Sequence, residues 1–231
     1  MGSAYAPNME PIAANVDIAD QGSGPSLVFT HGWTDDRTSW DGVVARLATD
    51  RQCLSWSLRA HGASEVTPPG TYSREHGLAD LRAVADRATA PYTLIGHSLG
   101  GYLSLAHALR YPDELHSLVL VGAGPGFRKQ EAMDQWNASV DRTASKKAVP
   151  EGAEVLSKHY DSWVMDEMAT ITAPTLVIIG EGDKQFMASA AVFEKRLDVR
   201  NTVVVQDAGH SVHRQQPAAV ADAIAAFLHQ L

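Results

Sequence analysis

The chain has 231 residues, 45% of them hydrophobic, enough to bury the core of one compact domain without calling for a second. Its formal net charge of −8 comes without a basic patch, which makes nucleic acid and anionic membrane surfaces poor partners. A lone cysteine, Cys53, cannot close an internal disulfide, and no apolar run approaches the roughly 18 residues of a membrane span.

The opening Met1-Gly2-Ser3-Ala4-Tyr5-Ala6-Pro7-Asn8 lacks the basic region and apolar stretch of a secretory signal, and Ala6 spoils a myristoylation pattern, so a cytoplasmic location is expected. Residues 12–18 alternate like an antiparallel edge hairpin. Strand-like and helix-like segments then alternate, as in a mostly parallel sheet flanked by helices. A strand at 27–30 breaks into His31-Gly32-Trp33, and a helix follows at 40–48. The next strand, 53–58, makes Cys53 a core residue, and a helix is expected at 78–88. A strand at 92–95 runs through Gly96-His97-Ser98-Leu99-Gly100 into a helix at 99–111, a Gly-x-Ser-x-Gly turn between strand and helix.

After a strand at 118–121 the rhythm breaks, because about fifty residues precede the next strand where a connection normally needs far fewer. This insertion, residues 122–172, is expected to form a short helical lid on a single domain spanning 1–231. Gly122-Ala123-Gly124-Pro125-Gly126-Phe127 is its flexible exit. Met133, Trp136, Leu156, Tyr160, Trp163, Met165 and Met168 then suit either an adaptable apolar pocket or the glue between lid and body. Phe127, Trp136 and Trp163 are the candidate pocket residues. The strand at 175–179 ends in Gly180-Glu181-Gly182-Asp183, a helix is expected at 188–197, and the strand at 202–205 ends in Gln206-Asp207-Ala208-Gly209-His210. A last helix, 217–231, opens on a first-turn proline.

A serine hydroxyl is a weak nucleophile at neutral pH and needs an imidazole to take its proton and a carboxylate to orient that imidazole. Ser98, Asp183 and His210 stand in the hydrolase order, each just past a strand end. Glu181 rivals Asp183, and Asp207 and His213 lie near His210. The glycine before His210 favours that histidine, His213 is expected to begin the following helix, and Glu181 to face solvent or cap its loop.

With His31-Gly32-Trp33, Gly96-His97-Ser98-Leu99-Gly100-Gly101, Gly180-Glu181-Gly182-Asp183 and Gly209-His210-Ser211-Val212-His213 in order, and Gln216-Pro217 after them, the chain resembles the α/β-hydrolase superfamily over nearly its whole length. The resemblance implies an oxyanion hole from the backbone N–H groups of Trp33 and Leu99, a structural role for His31, and a His97 that points away from the nucleophile. It implies no metal and no organic cofactor. Two positions depart from the family's Asp-x-Arg-Gly-His-Gly-x-Ser turn: in Ser57-Leu58-Arg59-Ala60-His61-Gly62-Ala63-Ser64, serine replaces aspartate and alanine replaces glycine, so a positive φ at Ala60 would be strained.

The expected function is a serine hydrolase that cleaves a small carboxylic ester, lactone or thioester through an acyl-enzyme. Its rate should fall on acidification as the histidine base is protonated. A serine at the elbow sets aside relatives that attack through aspartate, the haloalkane dehalogenases and epoxide hydrolases. Ser211 stands where carbon–carbon bond hydrolases commonly carry tryptophan. A cofactor-independent oxygenase, a carbon–carbon bond hydrolase or lyase, and a ligand-binding sensor with a silent triad remain alternatives on this scaffold. The expected partner is a small acyl substrate, and the expected state a monomer or a lid-mediated homodimer.

Overall fold

The computed structural model describes residues 11–231, and the stretch Met1 to Asn8 read for targeting signals lies outside them. Among the described residues, seven strands form one sheet: β1 (Ile18–Gln21), β2 (Ser26–Thr30), β3 (Gln52–Trp56), β4 (Tyr92–His97), β5 (Leu115–Val121), β6 (Thr175–Gly180) and β7 (Val199–Val205), in spatial order β1-β3-β2-β4-β5-β6-β7. Only the β1–β3 pair is antiparallel. The central strands β2, β4 and β6 are buried at every residue, which explains their unbroken apolar runs.

The edge differs from the expected hairpin. β1 pairs with β3, not with its neighbour in sequence, placing Ile18 opposite Trp56. Burial on both faces requires β2 to lie inside the sheet, so the half-exposed β1 is left for the margin beyond β3. Alternate side chains feed two cores. Val28, Leu54, Leu94 and Leu118 face one side, packed with Leu81 of α2 (Arg74–Ala85), Leu103 of α3 (Leu99–Arg110) and the insertion between β5 and β6. Leu27, Phe29, Ile95 and Val119 face the other, with Val44 of α1 (Asp41–Leu47) and with Val220 and Ile224 near the C-terminus. Cys53 belongs to the second core, fully buried, and burial pushes its thiol up to about 12, so it packs as an inert apolar group.

Local caps set the helix boundaries. α2 starts four residues earlier than periodicity suggests because the Ser73 hydroxyl accepts from the backbone N–H of His76. A 3₁₀ turn, Arg37–Trp40, precedes α1 and is capped by Asp36, whose Oδ1 accepts from the Thr38 N–H at 2.8 Å. The insertion supplies α4 (Gln130–Lys147) and the short α5 (Trp163–Glu167). After β6 come α6 (Met187–Arg196), then after β7 the short α7 (Val212–Gln215) and α8 (Pro217–Leu228), with Pro217 in its first turn as expected.

The segment around Arg59 braces β3 against α2. Arg59 and Asp80 are both buried, and the guanidinium grips both carboxylate oxygens at 2.6 Å. Its remaining N–H groups donate to the carbonyls of Thr71, Ile12 and His76, while Ala14 N–H donates to Asp80. The charges are thus fully hydrogen-bonded, the condition under which a buried pair is tolerated. Ala60 does adopt φ 60°, the strained conformation its sequence context anticipated. Ser57 replaces the family's aspartate partly in kind: its hydroxyl accepts from Arg37 N–H at 3.1 Å, and Asp17 supplies the carboxylate that pairs with the Arg37 side chain at 2.8 Å.

Candidate active site

Ser98 stands at the junction of β4 and α3 with φ 50° and ψ −113°, a conformation costing about 1–3 kcal/mol that surrounding structure must impose. Its N–H donates to Val121 O on the neighbouring strand at 3.0 Å. The two elbow glycines let the backbones close in. A Cβ on Gly96 would lie 2.4 Å from the Gly100 carbonyl, and one on Gly100 would lie 2.2 Å from Thr30 O. Leu99, the first residue of α3, carries an N–H with no intrahelical acceptor.

Asp183 and His210 arrive from the ends of β6 and β7. Their loops are tied together by the Gly182 N–H, which donates to Ala208 O at 2.8 Å. His210 Nδ1–H donates to Asp183 Oδ2 at 2.8 Å; the carboxylate is buried, while the imidazole remains 40% exposed. That bond leaves Nε2 as the basic nitrogen. Gly122, at φ 50° on leaving β5, makes room: a Cβ there would sit 3.2 Å from Asp183 Oδ2 and 3.4 Å from His210 Nδ1. Phe186 stacks on the His210 ring with centroids 4.7 Å apart and planes at 17°.

Buried neutral histidines surround this pair. His31 Nδ1–H donates to Gly32 O at 2.7 Å, and its Nε2 accepts from Leu58 N–H at 2.8 Å. It therefore braces the His31-Gly32-Trp33 loop against the end of β3, the structural role expected of it. Burial pushes it down to about 3. That loop passes the elbow closely, since a Cβ on Gly32 would approach Ser98 Cβ to 3.2 Å. Trp33 itself is half-buried and packs against the α2–α3 core. His97, pushed down to about 3 by burial, donates from Nε2 to His210 O at 2.9 Å and so holds the backbone of the candidate base. His213 lies in α7 as expected, its ring tilted against Trp40 and His97 with centroids 4.4 and 4.2 Å away.

Asp35, His97 and His213 bring one donor atom each within 4.8 Å of one another, a grouping invisible in a sequence that spreads them over a loop, the end of β4 and α7. Two of the three are already engaged: His97 Nε2 with His210 O, and Asp35 with Arg214 Nη1 at 3.2 Å. Glu181 is exposed, as expected.

A cavity of about 330 Å³ opens beside Ser98 and Leu99. Phe127 and Trp136 of the insertion line it, with ring centroids 5.7 Å apart, and Tyr102, His159 and Phe186 complete the aromatic wall. Trp163, expected there, lies elsewhere: the guanidinium groups of Arg74 and Arg110 sit 4.9 and 5.4 Å from its ring, and it packs on the α2–α3 core. Leu156 and Met168 are likewise buried as glue in that core, and Tyr160 is 65% exposed. Of the insertion residues that suit either a pocket or the glue between lid and body, Trp136 lines the cavity and Leu156, Trp163 and Met168 pack on the core. His159 and Phe186 were not singled out in the sequence; neither belongs to a motif, and both reach the cavity through tertiary packing alone.

A serine in a strand-turn-helix elbow and a bonded Asp–His pair, each at the end of a strand of a mostly parallel sheet, are the layout of a hydrolase scaffold. The model of the alpha/beta hydrolase family matches residues 27–223, and the chain belongs to that family. It is 36% identical over 118 residues to a pimeloyl-[acyl-carrier protein] methyl ester esterase of Nitrosomonas europaea, a match that covers 49% of this chain and 43% of the relative. It is 27% identical over 253 residues to a 2-succinyl-6-hydroxy-2,4-cyclohexadiene-1-carboxylate synthase of Salmonella heidelberg, covering 90% and 95%. The first curated relatives are matched over less than half their own length, 30% and 43%. A thermophilic esterase from Thermogutta terrifontis shares the fold with TM-score 0.78 at 24% identity, covering 93% of each chain. Among the described residues, no helix is long and apolar enough to cross a membrane.

Proposed function

We propose that the protein is a serine hydrolase cleaving a small carboxylic ester, lactone or thioester through an acyl-enzyme at Ser98. The observation that carries this reading is the Asp183–His210 hydrogen bond of 2.8 Å, which commits Nδ1 of the imidazole and leaves Nε2 for proton transfer, and the strained elbow at Ser98 supports it. In the first step His210 Nε2 takes the Ser98 proton as Oγ bonds to the acyl carbon, and the resulting oxyanion is held by the N–H groups of Leu99 and Trp33. His210 then gives that proton to the leaving alkoxide or thiolate. Water, deprotonated by His210, releases the acid and restores Ser98. The 122–172 insertion acts as the lid over this site, and its aromatic wall with Phe127 and Trp136 receives the acyl group. The reaction draws on no metal or organic cofactor. A relative named as a methyl ester esterase supports ester cleavage as the reaction type.

A small fluorophosphonate, with the modified peptide located by mass spectrometry, tests the proposal. Labelling at Ser98 that collapses in His210→Ala is the expected result, and absence of labelling in the folded protein would overturn it. On a hydrolysed ester, Ser98→Ala and His210→Ala should each lower kcat by about 10⁴-fold or more. Loss with His210→Ala alone would instead mark a base-driven reaction, such as cofactor-independent oxygenation.

A further inference from the structure

We propose that His159 is the specificity-determining residue of the Ser98 cavity, selecting an uncharged acyl group by a hydrogen bond to a neutral oxygen on it; the inference rests on the acyl-transfer reading above.

The cavity wall carries no aspartate, glutamate, lysine or arginine. At about 330 Å³ it falls at the small end of ligand pockets, and Tyr102, Phe127, Trp136, His159 and Phe186 bring aromatic rings to its wall. A carboxylate entering such a space would lose its water and find no cation. The nearby cation is committed elsewhere: Arg74 grips Asp161 through two N–H groups at 2.7 and 3.0 Å and lies over Trp163. Neutral polar groups fare differently, because the wall offers uncharged hydrogen-bonding side chains, among them the exposed Gln135 and Gln185 and, deeper, His159.

His159 is only 8% exposed. Its backbone is clamped to α4, with Asn137 Nδ2 donating to His159 O at 2.8 Å and His159 N–H donating to Asn137 Oδ1 at 2.9 Å. Its ring stands edge-on to Tyr102 at 4.4 Å and 82°, and to Phe127 at 5.2 Å and 84°. The position of the ring is thus fixed from backbone and side chain alike. Its Nδ1 is buried with no partner. Nδ1 packs against Gly126, where a Cβ would stand 3.3 Å from it, so the nitrogen open to a ligand in the cavity is Nε2, which makes no hydrogen bond among the described residues. Burial and the Arg74 charge push His159 down to about 4, so at neutral pH the imidazole is uncharged and offers one N–H and one lone pair. It can therefore donate to a ketone, ether or hydroxyl oxygen, and it cannot pair with a carboxylate as a cation would.

Three anilides of matched acyl length, pentanoyl, levulinoyl and glutaryl, end in a methyl group, a ketone and a carboxylate, and their amide bond replaces the ester. Binding is read by quenching of the Trp136 indole and by calorimetry at neutral pH, in the wild type, His159→Phe and His159→Gln. The levulinoyl anilide should bind about tenfold more tightly than the pentanoyl one, and the glutaryl anilide about 100-fold more weakly than the levulinoyl one. In His159→Phe the levulinoyl to pentanoyl ratio should fall to about one, and His159→Gln, which keeps a donor, should recover part of it. Equal binding of the glutaryl anilide, a levulinoyl preference that survives His159→Phe, or binding of none of the three would overturn the inference. Anilides need no turnover, so the two proposals fail separately. Ser98 labelling without discrimination among anilides removes only the present one, and discrimination without labelling removes only acyl transfer.

Discussion

Ala60 holds φ 60° in a turn closed by its N–H donating to Glu65 O at 2.9 Å. An alanine there gives up about 1–2 kcal/mol to the clash of Cβ with the following carbonyl, while glycine would cost about 0.5–1 kcal/mol of extra chain entropy. Ala60→Gly should therefore raise stability by up to about 1 kcal/mol, read as a higher urea midpoint at unchanged slope; a lower midpoint would show the turn unstrained. Gly122→Ala makes the opposite test, since its Cβ would press on both Asp183 and His210 at a residue with φ 50°. Activity on a hydrolysed ester should drop by about tenfold or more through the disturbed pair, with only about 1–2 kcal/mol lost from the fold. At this scale the sequence is legible where a few consecutive residues set the local geometry, as in the elbow at Ser98 and the strand-end loops that pair Asp183 with His210. It is silent where a residue acts through distant neighbours. Nothing near His159 foretells its meeting with Tyr102 and Phe127, and nothing near His213 foretells its contact with Trp40.

Among the elements, β3 and α2 depend on one buried ion pair. Asp80→Ala should destabilise the protein by about 3–5 kcal/mol, because Arg59 would stay buried with its charge unmatched. Guanidinium denaturation checks this, and a loss under 1 kcal/mol would mean that water reaches the Arg59 site. Strands were legible in proportion to their burial: β2, β4 and β6, closed on both faces, show as apolar runs. In β7 only Val205 is buried, and its first half, Val199 to Asn201, carries no apolar pattern to read. The position of β1 beside β3 is a choice among sheet edges that local sequence does not encode. In the insertion the same apolar residue types serve core and cavity, so composition could not separate Trp163 from Trp136.

The whole molecule carries an acid sensitivity in its buried imidazoles. His31 and His97 are pushed down to about 3, and His107 and His159 to about 4, chiefly by burial. Unfolded, each would take a proton below its ordinary value of 6.5. Between that value and about 3 to 4, the unfolded chain binds more protons than the folded one, so stability falls as pH falls. Each histidine contributes up to about 1.4 kcal/mol per pH unit within this window. Urea midpoints should be level above neutrality and decline steeply on acidification below pH 6.5; a profile flat to pH 5 would show these rings to be solvated.

The insertion leaves the sheet after β5 and rejoins it at β6, between the strand whose end faces the elbow and the strand that leads to Asp183. Ser98, Asp183 and His210 all lie outside it, while Phe127, Trp136 and His159 lie within it. On the proposed reading, bond cleavage is carried by the body, and the wall that receives the acyl group is shared between the insertion and the body residues Tyr102 and Phe186. Selection for a new substrate can rewrite the insertion's share of that wall, by drift, exchange or a change of length, while Ser98, Asp183 and His210 are kept intact.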